Sequence, residues 1–103
     1  MTLTQNDLML IAIVPEALKN KVVDTLMAES VSSGFSLAKI QGFSHIHSHY
    51  NVREQVEGYQ DFYRFEILHK GANSKALCEL LGATNEAKTI RYWIFPVIET
   101  GVL

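Results

Sequence analysis

The chain has 103 residues, 48% of them hydrophobic and 19% charged, the composition of a globular protein and not of a disordered one. A formal net charge of -2, with nine scattered Lys and Arg and no polybasic block, argues against a nucleic-acid surface. The single cysteine, Cys78, rules out an internal disulfide framework and suits a reducing compartment.

The length fits one domain, residues 1–103, with a modest core. Its first element is the apolar run Leu8 to Val14. Such a run is too short for a helix or a membrane span and fits a central strand. It also lacks a basic leader and a cleavage site, so the expected location is cytoplasmic and the chain is not itself membrane-spanning. Pro15 stops the strand and opens a helix, with Glu16 in the first turn where the dipole favours an acid. Leu18, Val22, Val23, Leu26 and Met27 follow at helical spacing, and Lys19, Lys21, Asp24 and Glu29 take the wet side. Ser32-Ser33-Gly34 ends that helix.

Phe35 to Phe43 reads as a second strand. Leu37 and Ile40 have opposite parity, which calls for a bulge or for cover on both faces. His45 to Gly58 is polar and reads as a long excursion between strands. Tyr59 to His69 then alternates, with Tyr63, Phe65 and Ile67 on one face and Phe62, Arg64, Glu66 and Leu68 on the other. Gly71 to Ser74 makes a turn with a helix cap. Leu77, Leu80 and Leu81 form a short amphipathic helix closed by Gly82. Thr89 to Val97 is the last strand, with Ile90, Tyr92 and Ile94 opposite Arg91, Trp93 and Phe95. Pro96 cannot donate to a ladder, so it favours an edge or a strand end.

The order strand, helix, strand, strand, helix, strand predicts an α+β fold of the ferredoxin-like βαββαβ type. Two right-handed crossovers give an antiparallel sheet with two helices on one face. Nothing remains to cover the other face, where Phe62, Trp93 and Phe95 are too apolar for open solvent. Self-association through that face is the cheapest remedy.

The chemical clue lies in the excursion. His45, His47 and His49 alternate in one run and leave only His69 elsewhere. Imidazole is the commonest metal ligand and the side chain that titrates nearest neutral pH. On a strand, His45 and His47 lie about 6.6 Å apart and His45 and His49 about 13 Å. Two rings at the shorter spacing can converge on a metal with bonds of about 2.1 Å, but three on one straight strand cannot. A site needs one such pair plus a bend, or ligands from Glu54, Glu57 or a neighbouring subunit. Nitrogen ligands favour zinc, copper or nickel over calcium or magnesium. A solvated hairpin and a pH-responsive run are the competing readings.

Other residues carry less chemistry. Cys78 reads as a buried thiol without a basic neighbour to activate it. Arg64 and Arg91 suit ion pairs across strands, for instance with Glu66. His69, at a strand end beside Lys70, reads as surface. No Ser-His-Asp, Cys-His or paired-carboxylate spacing stands out, so an enzyme is not expected.

Lys39-Ile40-Gln41-Gly42-Phe43-Ser44 resembles the strand that leads into the T-loop of the PII signalling proteins. Ile98-Glu99-Thr100-Gly101 resembles their C-terminal segment, and the element order matches theirs. Glu54-Gln55-Val56-x-Gly58 with Tyr92-Trp93-Ile94-Phe95-Pro96-Val97 looks closer still to a small PII-like family of undefined function. The divalent-cation tolerance (CutA) proteins are more distant kin. The resemblance implies a homotrimer and a non-catalytic regulator acting through its loop, with Tyr50, Arg53, Glu54 and Glu57 as partner-binding residues. It also implies a heavy-metal efflux transporter as the first partner to suspect. A nucleotide-binding PII-type transducer is the alternative, and a small ferredoxin-like enzyme a lesser one. Against a nucleotide, Gly82 to Lys88 lacks the clustered glycines of the PII phosphate loop, and Glu99 stands where PII carries an arginine.

Overall fold

The computed structural model describes residues 6–43 and 60–103. Strand β1 (Asp7–Pro15) is followed by one 3-10 turn (Glu16–Leu18) and helix α1 (Lys19–Ala28). Strands β2 (Gly34–Gly42) and β3 (Gln60–Lys70) come next. A second 3-10 turn (Gly71–Asn73), helix α2 (Ser74–Ala83) and strand β4 (Arg91–Pro96) complete the order. The four strands form one antiparallel sheet in the order β2-β3-β1-β4, the predicted ferredoxin-like arrangement.

Alternation along the strands places the core. Leu10, Ala12 and Val14 of β1 share a face with Phe65 and Ile67 of β3, and all five are buried. Val22 and Leu26 of α1 and Leu77 and Leu81 of α2 close on that same face, so both helices cover one side of the sheet. Phe65 stacks on Phe35, ring centroids 6.1 Å apart. Met27, which the helical spacing assigns to the apolar stripe, is instead 72% exposed. The stripe that reaches the sheet is carried by Val22 and Leu26, and Val23 is only partly covered.

The opposite parity of Leu37 and Ile40 needs no bulge. β2 pairs with β3 in unbroken register from Gly34↔Leu68 to Gly42↔Gln60. Phe35 and Leu37 therefore face the helices, while Ile40, opposite Phe62, lies on the other side. Gly34 opens the strand at φ +156, a backbone region that side chains rarely adopt, which suits it to a residue without Cβ.

β2 and β3 are each shifted by one residue from the sequence reading, and the differences at α2 and β4 have physical causes. β4 is shorter than Thr89 to Val97, because the segment before Arg91 is used in a turn described below. α2 runs through Gly82 to Ala83, so Gly82 sits inside the helix rather than closing it. The start of α2 has no side-chain cap, since the Ser74 hydroxyl is engaged elsewhere. Pro96 ends β4, an edge strand, where its missing N–H leaves no ladder bond unmade.

Candidate functional site

His45, His47, His49, Tyr50, Arg53, Glu54 and Glu57 all lie between residues 44 and 59, outside the described residues. The structure does fix where that segment leaves and returns. Gly42 and Gln60 are register partners, so both its ends stand side by side at one end of the sheet. β1 finishes and β4 begins at that end too, since Pro15 pairs with Phe62 and Ile13 with both Arg64 and Arg91.

The base of the segment is charged on the helix-covered side. Lys39 Nζ donates to Glu16 Oε1 at 3.2 Å, and Lys19 Nζ sits 5.2 Å from the centre of the Tyr63 ring. The hydrogen bond to Glu16, and then its charge, raises the Lys39 pKa above the usual lysine value. Both groups of the pair are about half exposed, so its worth to stability is small. A raised lysine pKa gives support that is present below the unfolded value and lost as pH rises through the folded one. The pair therefore fades only in strong alkali.

The fourth histidine is not on the surface. His69 is fully buried, on the face shared by Phe65 and Ile67. In its neutral form Nδ1 donates to the Ile67 carbonyl at 3.2 Å, and Nε2 accepts from the Ser74 hydroxyl at 2.7 Å. His69 thus ties the end of β3 to the start of α2 and is structural. Its parity with Tyr63, Phe65 and Ile67 was a signal that the charged neighbour Lys70 masked. Replacing it with leucine strands a hydroxyl and a carbonyl, so His69→Leu is expected to cost about 2–4 kcal/mol in urea unfolding.

Among the described residues, the sheet face away from the helices carries no covering helix or strand. Its rows read Gly34, Leu68, Met9, Phe95, then Ser36, Glu66, Ile11, Trp93, then Ala38, Arg64, Ile13, Arg91. Trp93 is 45% and Phe95 44% exposed, large apolar rings on a face that no other described element covers, while Ile11 of β1 is buried. Arg64 pairs with Glu66 on its own strand at 3.3 Å rather than across strands. Arg91 has no ion-pair partner among the described residues.

The last residues fold back on the first strand. Asp7 is buried, and Lys70 Nζ reaches its Oδ1 at 2.6 Å. The Thr100 hydroxyl donates to Asp7 Oδ2 at 3.3 Å, and the Val97 N–H to the Asp7 carbonyl at 3.0 Å. Among the described residues no three His, Cys, Asp or Glu side chains gather closely enough to hold a metal, and no helix is long and apolar enough to cross a membrane. Cys78 is half-buried rather than sealed in the core and lines a cleft between α2 and β4.

The comparisons with known proteins agree with this architecture. The family model described as "Protein of unknown function (DUF3240)" matches residues 4–103. A crystal structure of a DUF3240 family protein from Shewanella baltica is 34% identical, covers 100% of this chain and 99% of its own, and superposes with a TM-score of 0.79. CutA from Synechococcus elongatus is 12% identical over 94% of this chain and 81% of its own, TM-score 0.73. CPII, a nitrogen regulatory PII-like protein from Thiomonas intermedia solved with ADP, AMP and bicarbonate, is 16% identical over 94% and 96%, TM-score 0.69. The last two show the fold alone. No curated protein matches in sequence.

Proposed function

This chain belongs to the DUF3240 family, and from that premise we propose that it is a non-catalytic PII-like regulatory protein, cytoplasmic and homotrimeric. Its 45–58 loop responds to a transition metal and acts on a partner protein, a heavy-metal efflux transporter being the first candidate. The fold supports the regulatory half of this reading, since PII-like and CutA proteins share it. One observation carries the rest. With His69 committed to the core by both ring nitrogens, the three other histidines all fall in one segment, anchored at both ends by Gly42↔Gln60.

In this reading two of His45, His47 and His49 ligate zinc, copper or nickel, with Glu54, Glu57 or a neighbouring subunit completing the shell. Tyr50, Arg53, Glu54 and Glu57 present the response to the partner. The open face with Trp93 and Phe95 joins the subunits, which brings three such loops into one assembly.

Calorimetry of the metal-free protein with zinc, copper and nickel tests the metal directly. Binding tighter than about 10 μM is expected, with loss in the His45→Ala/His47→Ala double variant. Ligation needs neutral imidazole, so affinity falls as pH drops through about 6.5. A double variant that binds like wild type ends the metal reading. Tight ATP or ADP binding in the same series restores the nucleotide-signalling alternative.

A further inference from the structure

We propose that the cleft between α2 and β4 binds a small monoanion with an apolar, ring-sized body, of which an aromatic monocarboxylate is the simplest member. The proposal uses no residue of the 44–59 segment and stands apart from the metal reading. The cleft has a volume of ≈ 170 Å³ and is lined by Cys78, Leu81, Gly82, Asn85, Ile90 and Tyr92, with Lys88 as its one charged residue. A cavity of about 150 Å³ accepts a benzene-sized molecule. Leu81, Ile90 and the Tyr92 ring supply apolar walls, and an aromatic face favours a flat partner.

The charge of the ligand follows from the lining. Lys88 brings a cation, and among the described residues no acid lines the cleft and Lys88 has no ion-pair partner. One ammonium beside apolar walls selects a single negative charge over a neutral molecule, because the anion regains in the cleft what it loses on leaving water.

The backbone gives a second, independent reason. Lys88 has φ 54, the only left-handed residue other than glycine among the described residues. Such a conformation is strained for lysine and persists only where its surroundings enforce it. Here they do. Lys88 N–H donates to the Asn85 carbonyl at 3.1 Å, while Asn85 Oδ1 accepts from both the N–H and the hydroxyl of Thr89 at 2.9 Å. The Thr84 hydroxyl donates to the Leu81 carbonyl at 2.6 Å and fixes the turn to the end of α2. Glycine would hold this backbone without strain, so the position places a lysine on the cleft lining at a backbone cost that glycine would not incur.

Cys78 provides the readout. Benzoate is expected to slow alkylation of Cys78 by a maleimide several-fold, whereas the neutral isostere benzamide does so far less. Lys88→Gly, which suits the left-handed backbone and keeps the turn folded, is expected to abolish the difference, and Lys88→Arg to retain it. In parallel, benzoate should shift the backbone amide resonances of residues 82–92 in the wild type and leave them in place in Lys88→Gly. Equal protection by benzoate and benzamide overturns the proposal. So does an absence of both protection and amide shifts, or a Lys88→Gly variant that responds like wild type.

Discussion

Phe65→Ala is expected to destabilise the protein by about 3–5 kcal/mol, the range for truncating a fully buried aromatic ring. Phe65 has no exposed surface, lies between Ala12 and Leu37 on the paired strands, and stacks on Phe35. Its loss removes buried area and leaves a hole where the sheet meets both helices. Relaxation into that hole is limited, because Leu10, Val14, Val22 and Leu77 around it are already sealed. Urea unfolding followed by far-UV ellipticity measures the change. A midpoint within experimental error of wild type would show that the helices do not rest on this ring.

Trp93→Asp is expected to dissociate the proposed trimer while leaving the subunit folded. Trp93 lies on the edge strand β4, next to Ile11 of β1 on the face away from the helices, so an aspartate there replaces exposed apolar area with charge on the surface proposed to join the subunits. Buried tryptophans at interface centres commonly carry 2 kcal/mol or more, which makes a weakening of about 30-fold or greater a modest expectation. Sedimentation at micromolar concentration should show a threefold smaller species with unchanged ellipticity. A variant that sediments like wild type, or a wild type that is itself a stable monomer, removes the open face from the assembly.

Much of this fold is legible in the residues, because each strand announces its period. The run Leu8 to Val14 has no alternation since β1 is central, and only Pro15 was needed to end it. Tyr63, Phe65 and Ile67 mark the helix-covered face of β3 unambiguously. His69 continues that same parity, yet a titratable side chain beside Lys70 at a strand end reads as wet until its two hydrogen bonds are seen. Met27 fails for the opposite reason: helical spacing defines a stripe but not how far along it the sheet extends. The left-handed backbone of Lys88 and the cleft beside it are tertiary facts. They follow from side-chain hydrogen bonds of Asn85 and Thr84 that no local pattern declares. The candidate metal ligands, in contrast, are legible only as chemistry, since His45, His47 and His49 lie outside the described residues.

The pairing of Gly42 with Gln60 has a consequence for how such a protein can change over generations. The entropy of closing a connection grows only logarithmically with its length, so doubling the span between two fixed strand ends adds about 0.6 kcal/mol. The sheet register on either side is held by residues that all lie within the strands themselves. On the closure term alone, a change in the number of residues between those two anchors is therefore cheap. Under the proposed function, selection can rewrite what the segment recognises while the paired strands stay the same.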